Sequence, residues 1–485
     1  MVHQYKNNGY NIVLDVNSGM VHVVDDLAYD IIAIYENSSR EDIVAAMVEK
    51  YSRPENYSAI MDASEAKADT QPDKDRLLAE INATIDDIEQ LVKEGSLFSK
   101  DIYEDYIKEF KNRSTVVKAL CLHIAHDCNL ACKYCFAEEG EYKGRRALMS
   151  YEVGKQALDF LVASSGNRRN LEVDFFGGEP LMNFDVVKDL VAYGRQLEKQ
   201  HNKKFRFTLT TNGILLNDEI MEFLNKEISN VVLSLDGRRE VNDFMRPCRN
   251  NKGSYDLIVD KFIKLAQSRN QTNYYVRGTF THHNMDFCED VKHLADLGFK
   301  QISVEPVVAP ESEGYAIKEE DLPLLFDEYD KLARLMIERR KEKRAFNFFH
   351  FMIDLSGGPC VAKRLSGCGS GTEYLAVTPW GDLYPCHQFV GQEEFLMGNV
   401  FEGIKNTALR DEFLACNVYS KEKCRGCFAK FYCSGGCAAN SFNFTGNIND
   451  TYDIGCELQR KRVECAIMLK AADGEEFDGE LGTDQ

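Results

Sequence analysis

The stretch CNLACKYC at residues 128–135 places three cysteines at CxxxCxxC spacing, directly after an apolar run at 119–125 that predicts a β-strand. Three thiolates on so short a loop can hold three irons of a [4Fe–4S] cube while the fourth iron stays open. A zinc loop is the alternative, although such loops more often use CxxC spacing and need a fourth ligand. The stretch therefore indicates a cluster with a free coordination position.

The composition bounds the class of protein. The 485 residues are 44% hydrophobic and 28% charged, which predicts large cores and about three domains. No apolar run approaches about 18 residues and no basic-then-apolar start is present, so we expect a cytoplasmic protein without a membrane span or signal peptide. In that reducing compartment, 16 cysteines indicate metal or catalytic thiols. The net charge of −20 argues against nucleic acid and favours a neutral or basic peptide or a small substrate.

The N-terminal part has the pattern of a small α+β unit. Residues 10–16 and 20–26 alternate apolar and polar around Asn17-Ser18-Gly19, which predicts a β-hairpin. Helical patterns follow at 27–35, 40–51 and 76–95, with an acidic stretch at 62–76 before the last of them.

The middle of the chain alternates apolar strands with amphipathic helices, which is typical of βα units and a parallel sheet. Six strands are predicted, at 119–125, 171–176, 205–211, 230–235, 274–280 and 302–308. In such folds the chemistry gathers at the carboxyl ends of the strands.

Polar motifs follow several of these strands. Gly177-Gly178-Glu179-Pro180 combines two glycines, which let the backbone approach a ligand, with a carboxylate that suits an ammonium group. Ser234 and Asp236 lie two residues apart and share a strand face, where a hydroxyl and a carboxylate suit ribose. Arg246 offers a fork of donors for a carboxylate, and Thr210-Thr211-Asn212-Gly213 follows the third strand. For Arg246 and Asn212, a surface or turn role is the alternative.

The C-terminal third holds a second cysteine pattern. Seven cysteines are spaced as Cys368, Cys386, Cys424, Cys427, Cys433, Cys437 and Cys456, with Gly381 between the first two. Two zinc sites are the alternative interpretation. Five cysteines fit no motif and are predicted to be buried small apolar residues: Cys121, Cys248, Cys288, Cys416 and Cys465.

Together these motifs resemble radical S-adenosylmethionine (SAM) enzymes that carry a SPASM domain. The stretches HDCNLACKYCFAEEGEYKGRRALMSYEVGKQALDF at 126–160 and VDFFGGEPLMNF at 173–184 look most like the maturases of SCIFF peptides, which are short, cysteine-rich and ribosomally synthesised. The resemblance implies an α/β fold with a partial (β/α)6 barrel at 111–310. It also implies a winged-helix-like peptide-recognition domain at 1–110, a helical bridge at 311–358, a SPASM domain at 359–470 and an acidic tail at 471–485. A domain at 1–110 that only packs against the catalytic part is the alternative.

The resemblance also implies cofactors and their ligands, namely SAM and three [4Fe–4S] clusters. Cys128, Cys132 and Cys135 match the ligands of the catalytic cluster. The residues that match SAM contacts are Tyr134 against the adenine, Gly177, Gly178, Glu179 and Pro180 around the methionyl amine, Ser234 and Asp236 at the ribose, and Arg246 at the carboxylate. Cys368, Cys386 and Cys437 match the first auxiliary cluster, and Cys424, Cys427, Cys433 and Cys456 the second. Cys360 is the natural fourth ligand of the first auxiliary cluster, unless an open iron there binds a substrate thiol.

The activity implied is a thioether bond from a cysteine sulfur to a threonine carbon of the same peptide, made through a 5′-deoxyadenosyl radical. Partners implied are a precursor peptide with a leader and a low-potential electron donor such as a ferredoxin or flavodoxin. A sulfatase-maturing enzyme that makes formylglycine is one alternative. However, those relatives carry an acidic base after the cysteine matched by Cys386, where this chain has His387, a lone histidine interpreted as structural. A non-catalytic iron–sulfur electron carrier is the other.

Overall fold

The computed structural model describes residues 1–58, 73–110, 112–355 and 361–473. Most of the acidic stretch at 62–76, nearly all of the tail at 471–485 and Cys360 lie outside these ranges. The β-strands of the described residues are β1 Val2–Asn7, β2 Tyr10–Asp15, β3 Val21–Val24, β4 Ala119–His126, β5 Ala147–Leu148, β6 Asn170–Gly177, β7 Lys204–Thr211, β8 Asn230–Ser234, β9 Tyr274–Phe280, β10 Gln301–Pro306, β11 Asn347–Phe348, β12 Tyr374–Val377, β13 Asp382–Tyr384, β14 Gly398–Asn399 and β15 Gly403–Ile404.

The helices in the same residues connect and cover these strands. They are α1 Asp26–Ile34, α2 Arg40–Tyr51, α3 Pro54–Tyr57, α4 Lys74–Glu94, α5 Tyr103–Phe110, α6 Tyr151–Ser164, α7 Phe184–His201, α8 Asp218–Glu227, α9 Arg239–Met245, α10 Tyr255–Ser268, α11 Phe287–Asp296, α12 Leu322–Lys341, α13 Val361–Ser366, α14 Thr407–Ala415, α15 Glu422–Arg425, α16 Lys430–Cys433, α17 Ala438–Thr445 and α18 Asp453–Ala472. Among these helices, none combines the length and the apolar character that crossing a membrane requires.

The N-terminal unit is a three-stranded antiparallel sheet, ordered β1-β2-β3, against which α1, α2 and α4 pack. The predicted hairpin and the three helices are confirmed, whereas the first strand, Val2–Asn7, was not predicted. Helix α4 is capped at its start by Asp73, whose side chain accepts hydrogen bonds from two backbone N–H groups, and at its end by Gly95, which takes a left-handed conformation. The sheet packs on α18, where His3 Nε2 lies 2.9 Å from Glu464 Oε1.

The central unit is a parallel sheet. All six predicted strands form, and they neighbour one another in the order β10-β9-β8-β7-β6-β4. Alternate residues such as Leu171, Val173 and Phe175 are fully buried beneath the helices, so the polar residues between them face the inside of the curved sheet. The six strands do not close on themselves, since β11 and β12 pair with the two ends.

The C-terminal part is built onto this sheet. Strand β12 pairs in parallel with β4, with Leu375 opposite Leu120, and β13, β14 and β15 continue from it as antiparallel strands. The sequence did not predict this extension, because its strands are only two to four residues long. It places Cys386 close to Cys121 on β4.

Candidate active site

The loop with the three cysteines begins where β4 ends and has no regular structure of its own. Its backbone pairs with a second segment: Ala131 N–H donates to the Pro247 carbonyl and Lys133 N–H to the Met245 carbonyl, both at 2.9 Å. Leu130 is 1% exposed and anchors the loop in the core. These contacts fix the relative positions of the three thiols.

The thiols lie in a largely buried setting. Burial raises the pKa of Cys128 to about 12 and that of Cys132 to about 11, and the Cys135 thiol adds to both shifts. Such thiols stay protonated at neutral pH unless a metal cation replaces the proton. Three thiols on one short loop are a donor set that fits an iron–sulfur cluster.

Among the described residues, no group of three or more His, Cys, Asp and Glu side chains is arranged to hold a single metal ion.

The glycines of GGEP meet the root of this loop. Gly178 N–H donates to the Ala125 carbonyl at 2.7 Å, and Glu179 N–H to the Asp127 carbonyl at 2.9 Å. A Cβ atom on Gly178 would lie 2.1 Å from the Asp127 carbonyl oxygen, and Gly177 has a φ of 119°. Glycine is thus required at both positions.

Glu179 is fully buried and held by three donors. Its Oε1 accepts from Leu181 N at 3.0 Å and from Thr211 Oγ1 at 2.8 Å, and its Oε2 accepts from Asn212 N at 2.8 Å. A carboxylate offers about four acceptor positions, so one position on Oε2 is left for a further donor. Burial raises the pKa of Glu179 to about 6 despite these bonds. An added cation would stabilise the ionised form.

A second buried polar group connects the loop to the fourth and fifth predicted strands. Tyr134 Oη donates to the Asp236 carboxylate at 2.8 Å and accepts from Arg246 Nη1 at 2.8 Å. Asp236 Oδ1 also accepts from Thr279 N at 3.1 Å. Arg246 Nε is buried without a partner among the described residues, which leaves it a donor for a ligand. Ser234 is half-buried at the end of β8, and Pro180 is buried at the start of a 3₁₀ turn.

Asn212 connects Glu179 to the cysteine loop. Its Nδ2 donates to Asn129 Oδ1 at 2.7 Å and lies 3.6 Å from Cys128 Sγ, while its backbone N–H binds Glu179. The surface role left open for Asn212 is therefore wrong, because its side chain is only 4% exposed and contacts the cysteine loop.

The seven C-terminal cysteines form two groups. Cys386 is buried, and neighbouring Cys437 and Cys368 add to the effect of burial in raising its pKa. In the other group, burial raises the pKa of Cys424 to about 12, and the nearby thiols add to this shift; they belong to Cys433, Cys456 and Cys427. The second group, Cys424, Cys427, Cys433 and Cys456, lines a cavity of about 730 Å³.

The unassigned cysteines and His387 have distinct surroundings. Cys121, Cys288 and Cys465 are buried as predicted, whereas Cys248 and Cys416 are only half-buried, because both lie on loops. The His387 ring lies 5.1 Å from that of Phe176, and burial lowers its pKa to about 4.

Comparison with known proteins shows what the chain is similar to. Residues 122–306 match the profile of the Radical SAM superfamily. An uncharacterized protein of Methanocaldococcus jannaschii is 27% identical over 65% of this chain and 96% of its own length.

Two named relatives match at similar levels. A cysteine-type anaerobic sulfatase-maturating enzyme of Clostridium novyi is 25% identical over 68% of this chain and 90% of that protein. The PqqA peptide cyclase of Granulibacter bethesdensis is 24% identical over 70% of this chain and 87% of that protein. Among solved structures, native anSMEcpe with bound AdoMet and Cp18Cys peptide has the same fold, with a TM-score of 0.60 and 20% identity over 74% of this chain and 99% of that one.

Replacing Gly178 by Ala tests the contact between GGEP and the loop. The added methyl group would overlap the Asp127 carbonyl, so the backbone leading to Cys128 must move. We expect the iron content of the reconstituted protein to fall and the thermal midpoint to drop by several degrees. Gly314→Ala is the control, since its Cβ would meet nothing within 4 Å. Equal iron contents and midpoints in the two variants would show that the close approach is dispensable.

Proposed function

We propose that the protein joins a cysteine sulfur to a threonine carbon in a cysteine-rich, ribosomally synthesised peptide of the SCIFF type. The observation that carries this proposal is the presence, in one radical SAM enzyme, of the buried cysteine loop and two further cysteine groups. The relatives named for acting on a peptide and on sulfatases support a peptide or protein substrate.

The loop thiols Cys128, Cys132 and Cys135 would hold the catalytic [4Fe–4S] cluster. With SAM bound at its open iron, such a cluster supplies a 5′-deoxyadenosyl radical that removes hydrogen from carbon. The contribution of the chain is to fix the three thiols through the pairing with Met245 and Pro247, and to exclude water around them.

The surrounding polar groups would bind SAM. Glu179 has one free acceptor position for the methionyl ammonium, next to Gly177, Gly178 and Pro180. Arg246 has a free Nε for the carboxylate, and its Nη1 orients Tyr134 for the adenine. Ser234 is accessible for the ribose, whereas Asp236 is engaged by Tyr134 and Thr279 and would act in part by orienting Tyr134.

The C-terminal cysteines would hold two auxiliary [4Fe–4S] clusters. Cys368, Cys386 and Cys437 would bind the first, with Cys360 or a substrate thiol as fourth ligand. Cys424, Cys427, Cys433 and Cys456 would bind the second, and their large common cavity supports this assignment. These clusters would accept the electron left when the S–C bond forms, and a ferredoxin or flavodoxin in the cytoplasm would supply electrons to the enzyme.

The N-terminal unit, 1–110, would capture the leader of the precursor peptide. Strand β3 lies at an edge of its sheet, and Val23 there is 53% exposed. An exposed edge offers unpaired backbone groups to an added peptide strand. The remaining proposed boundaries are a barrel at 111–310, a bridge at 311–358 and a SPASM domain at 359–470.

Thioether formation is favoured over formylglycine formation by the setting of His387. Burial keeps this ring neutral, and it lies among aromatic rings where a carboxylate base would be expected for the other reaction. The similarity to a sulfatase-maturating enzyme keeps formylglycine as the product to be distinguished.

The product distinguishes the two reactions. Exchanging one S–H and one C–H for an S–C bond leaves the peptide lighter by two hydrogens, with one thiol lost. One hydrogen goes to 5′-deoxyadenosine, and the other leaves as a proton and an electron. We expect tandem mass spectrometry of the precursor peptide encoded beside the gene to show this loss after reduction with a thiol reagent. It should be confined to a segment with one cysteine and one threonine.

Two other outcomes contradict the proposal. A mass loss that reduction reverses indicates a disulfide, and an aldehyde that reacts with a hydrazide indicates formylglycine. A peptide whose donor cysteine is replaced by alanine is the control, and it should lose no mass.

Removing the leader from the substrate peptide tests whether the N-terminal unit binds it. If β3 binds the leader, removing the leader should raise the KM for the core peptide at least tenfold with little change in kcat. An isolated leader peptide should then inhibit competitively. A core peptide with an unchanged KM would mean that the N-terminal unit only packs against the rest of the chain.

A further inference from the structure

An ion pair lies on the inner face of the parallel sheet, outside the groups assigned so far. Arg277 and Glu305 occupy positions of β9 and β10 that alternate with the buried residues Val276 and Val304. Their side chains therefore project into the concave side of the sheet, where the substrate of a barrel of this kind must enter.

Within this ion pair, Glu305 is fixed by neighbouring side chains, whereas Arg277 keeps free donors. Arg277 Nη2 lies 2.7 Å from Glu305 Oε2, and the other carboxylate oxygen lies 3.6 Å from His350 Nε2. His350 Nε2 is in turn 3.1 Å from Ser303 Oγ, and its Nδ1 faces Arg462 Nη1 at 3.3 Å. Glu305 is thus fixed from behind.

Arg277 has N–H donors that the ion pair does not use. The side chain is 48% exposed, and the hydrogen bond to Glu305 uses one of its five N–H donors. A guanidinium fixed by a carboxylate presents its remaining donors in a defined plane. Within the described residues, no partner for those donors is seen, so a ligand in the concave side would meet them.

The pair also lies between the two proposed reaction centres. Arg277 is the register partner of Ser234 on β8, and Glu305 that of Thr279, whose N–H binds Asp236. On the other side, the charges of Arg277 and Glu305 act on His387, which follows Cys386. The pair therefore neighbours both the proposed SAM side and the first auxiliary group.

We propose that Arg277, oriented by Glu305, binds main-chain carbonyl groups of the substrate peptide at the residue whose C–H bond reacts. This inference rests on the proposed peptide substrate. Main-chain carbonyls occur in every peptide, so the contact would position the acceptor without selecting its side chain. Arg277 is thus a substrate-binding residue and Glu305 a positioning residue.

Two other roles fit the observations less well. A pair that merely joined β9 to β10 would add little, because these strands already pair in register from Ile302 to Pro306. A proton-accepting role for Glu305 is disfavoured because Arg277 and Arg462 lower the pKa of its carboxyl despite burial. The groups facing Glu305 from the neighbouring elements are thus two arginines and one buried, neutral histidine.

The test compares Arg277→Gln, Arg277→Lys and Glu305→Gln with Arg206→Gln. Arg206 is an exposed arginine on β7 that faces a separate cavity at the opposite end of the sheet. All variants are reconstituted with iron. Four quantities are measured: SAM cleavage without peptide, binding of a fluorescent leaderless core peptide, the ratio of 5′-deoxyadenosine to modified peptide, and the thermal midpoint. The core peptide is a synthetic cysteine-rich peptide that contains one threonine.

For Arg277→Gln we expect core-peptide binding at least tenfold weaker, with SAM cleavage without peptide within twofold of the unsubstituted enzyme. We also expect several 5′-deoxyadenosines per modified peptide, because the radical often fails to remove hydrogen from a misplaced C–H bond. Arg277→Lys should bind the core peptide with intermediate affinity, since it keeps the positive charge and loses the planar guanidinium. Glu305→Gln should show a smaller loss of binding and coupling. Arg206→Gln should match the unsubstituted enzyme in all four measurements.

Unchanged peptide binding and coupling in Arg277→Gln would overturn the proposal, and a lowered thermal midpoint alone would indicate a structural pair. A lower kcat with a shifted pH profile in Glu305→Gln, at unchanged KM and coupling, would overturn it in favour of proton transfer. Failure of the thioether proposal is seen separately, as a different product of the unsubstituted enzyme.

Discussion

The backbone pairing between the cysteine loop and the segment from Met245 to Cys248 is the constraint on which the rest of the site depends. An irregular loop cannot hold three thiols in place by itself, and here the bonds from Ala131 and Lys133, with the bridge between Leu130 and Cys248, do so. The same pairing brings Arg246 to Tyr134. On the other side of the cysteine loop, the GGEP turn bonds to the Asp127 carbonyl. The cysteine loop therefore defines the positions of both neighbouring carboxylates, Glu179 and Asp236.

Burial sets the electrostatics of this centre. It raises the pKa values of Glu179 and Asp236 to about 6 each, and Arg246 counteracts part of both shifts. Buried carboxyls with free acceptor positions and a guanidinium with a free Nε form a site prepared for a zwitterionic ligand with an ammonium and a carboxylate. Without such a ligand these groups destabilise the fold. Their retention is explained if the ligand is part of the functional state.

Much of this fold could be predicted from the sequence. The six parallel strands follow from apolar runs separated by helical patterns, and the placement of GGEP beside the cysteine loop follows from the carboxyl ends of neighbouring strands meeting at one edge. Strand β1 was not predicted because its sequence, VHQYKN, mixes charged and polar residues. Its pairing depends on β2 and on α18. Arg277 and Glu305 were missed although alternation within β9 and β10 marks them as inward-facing, because no spacing motif singles them out.

The most direct test of the account is electron paramagnetic resonance of the reduced, reconstituted protein before and after addition of SAM, together with its iron content. We expect about twelve irons per chain and a cluster signal that SAM changes. Replacing Cys128, Cys132 and Cys135 by Ala should remove that signal and about a third of the iron while the other signals persist. A SAM-sensitive signal that survives the triple replacement would contradict the assignment of the cluster to this loop.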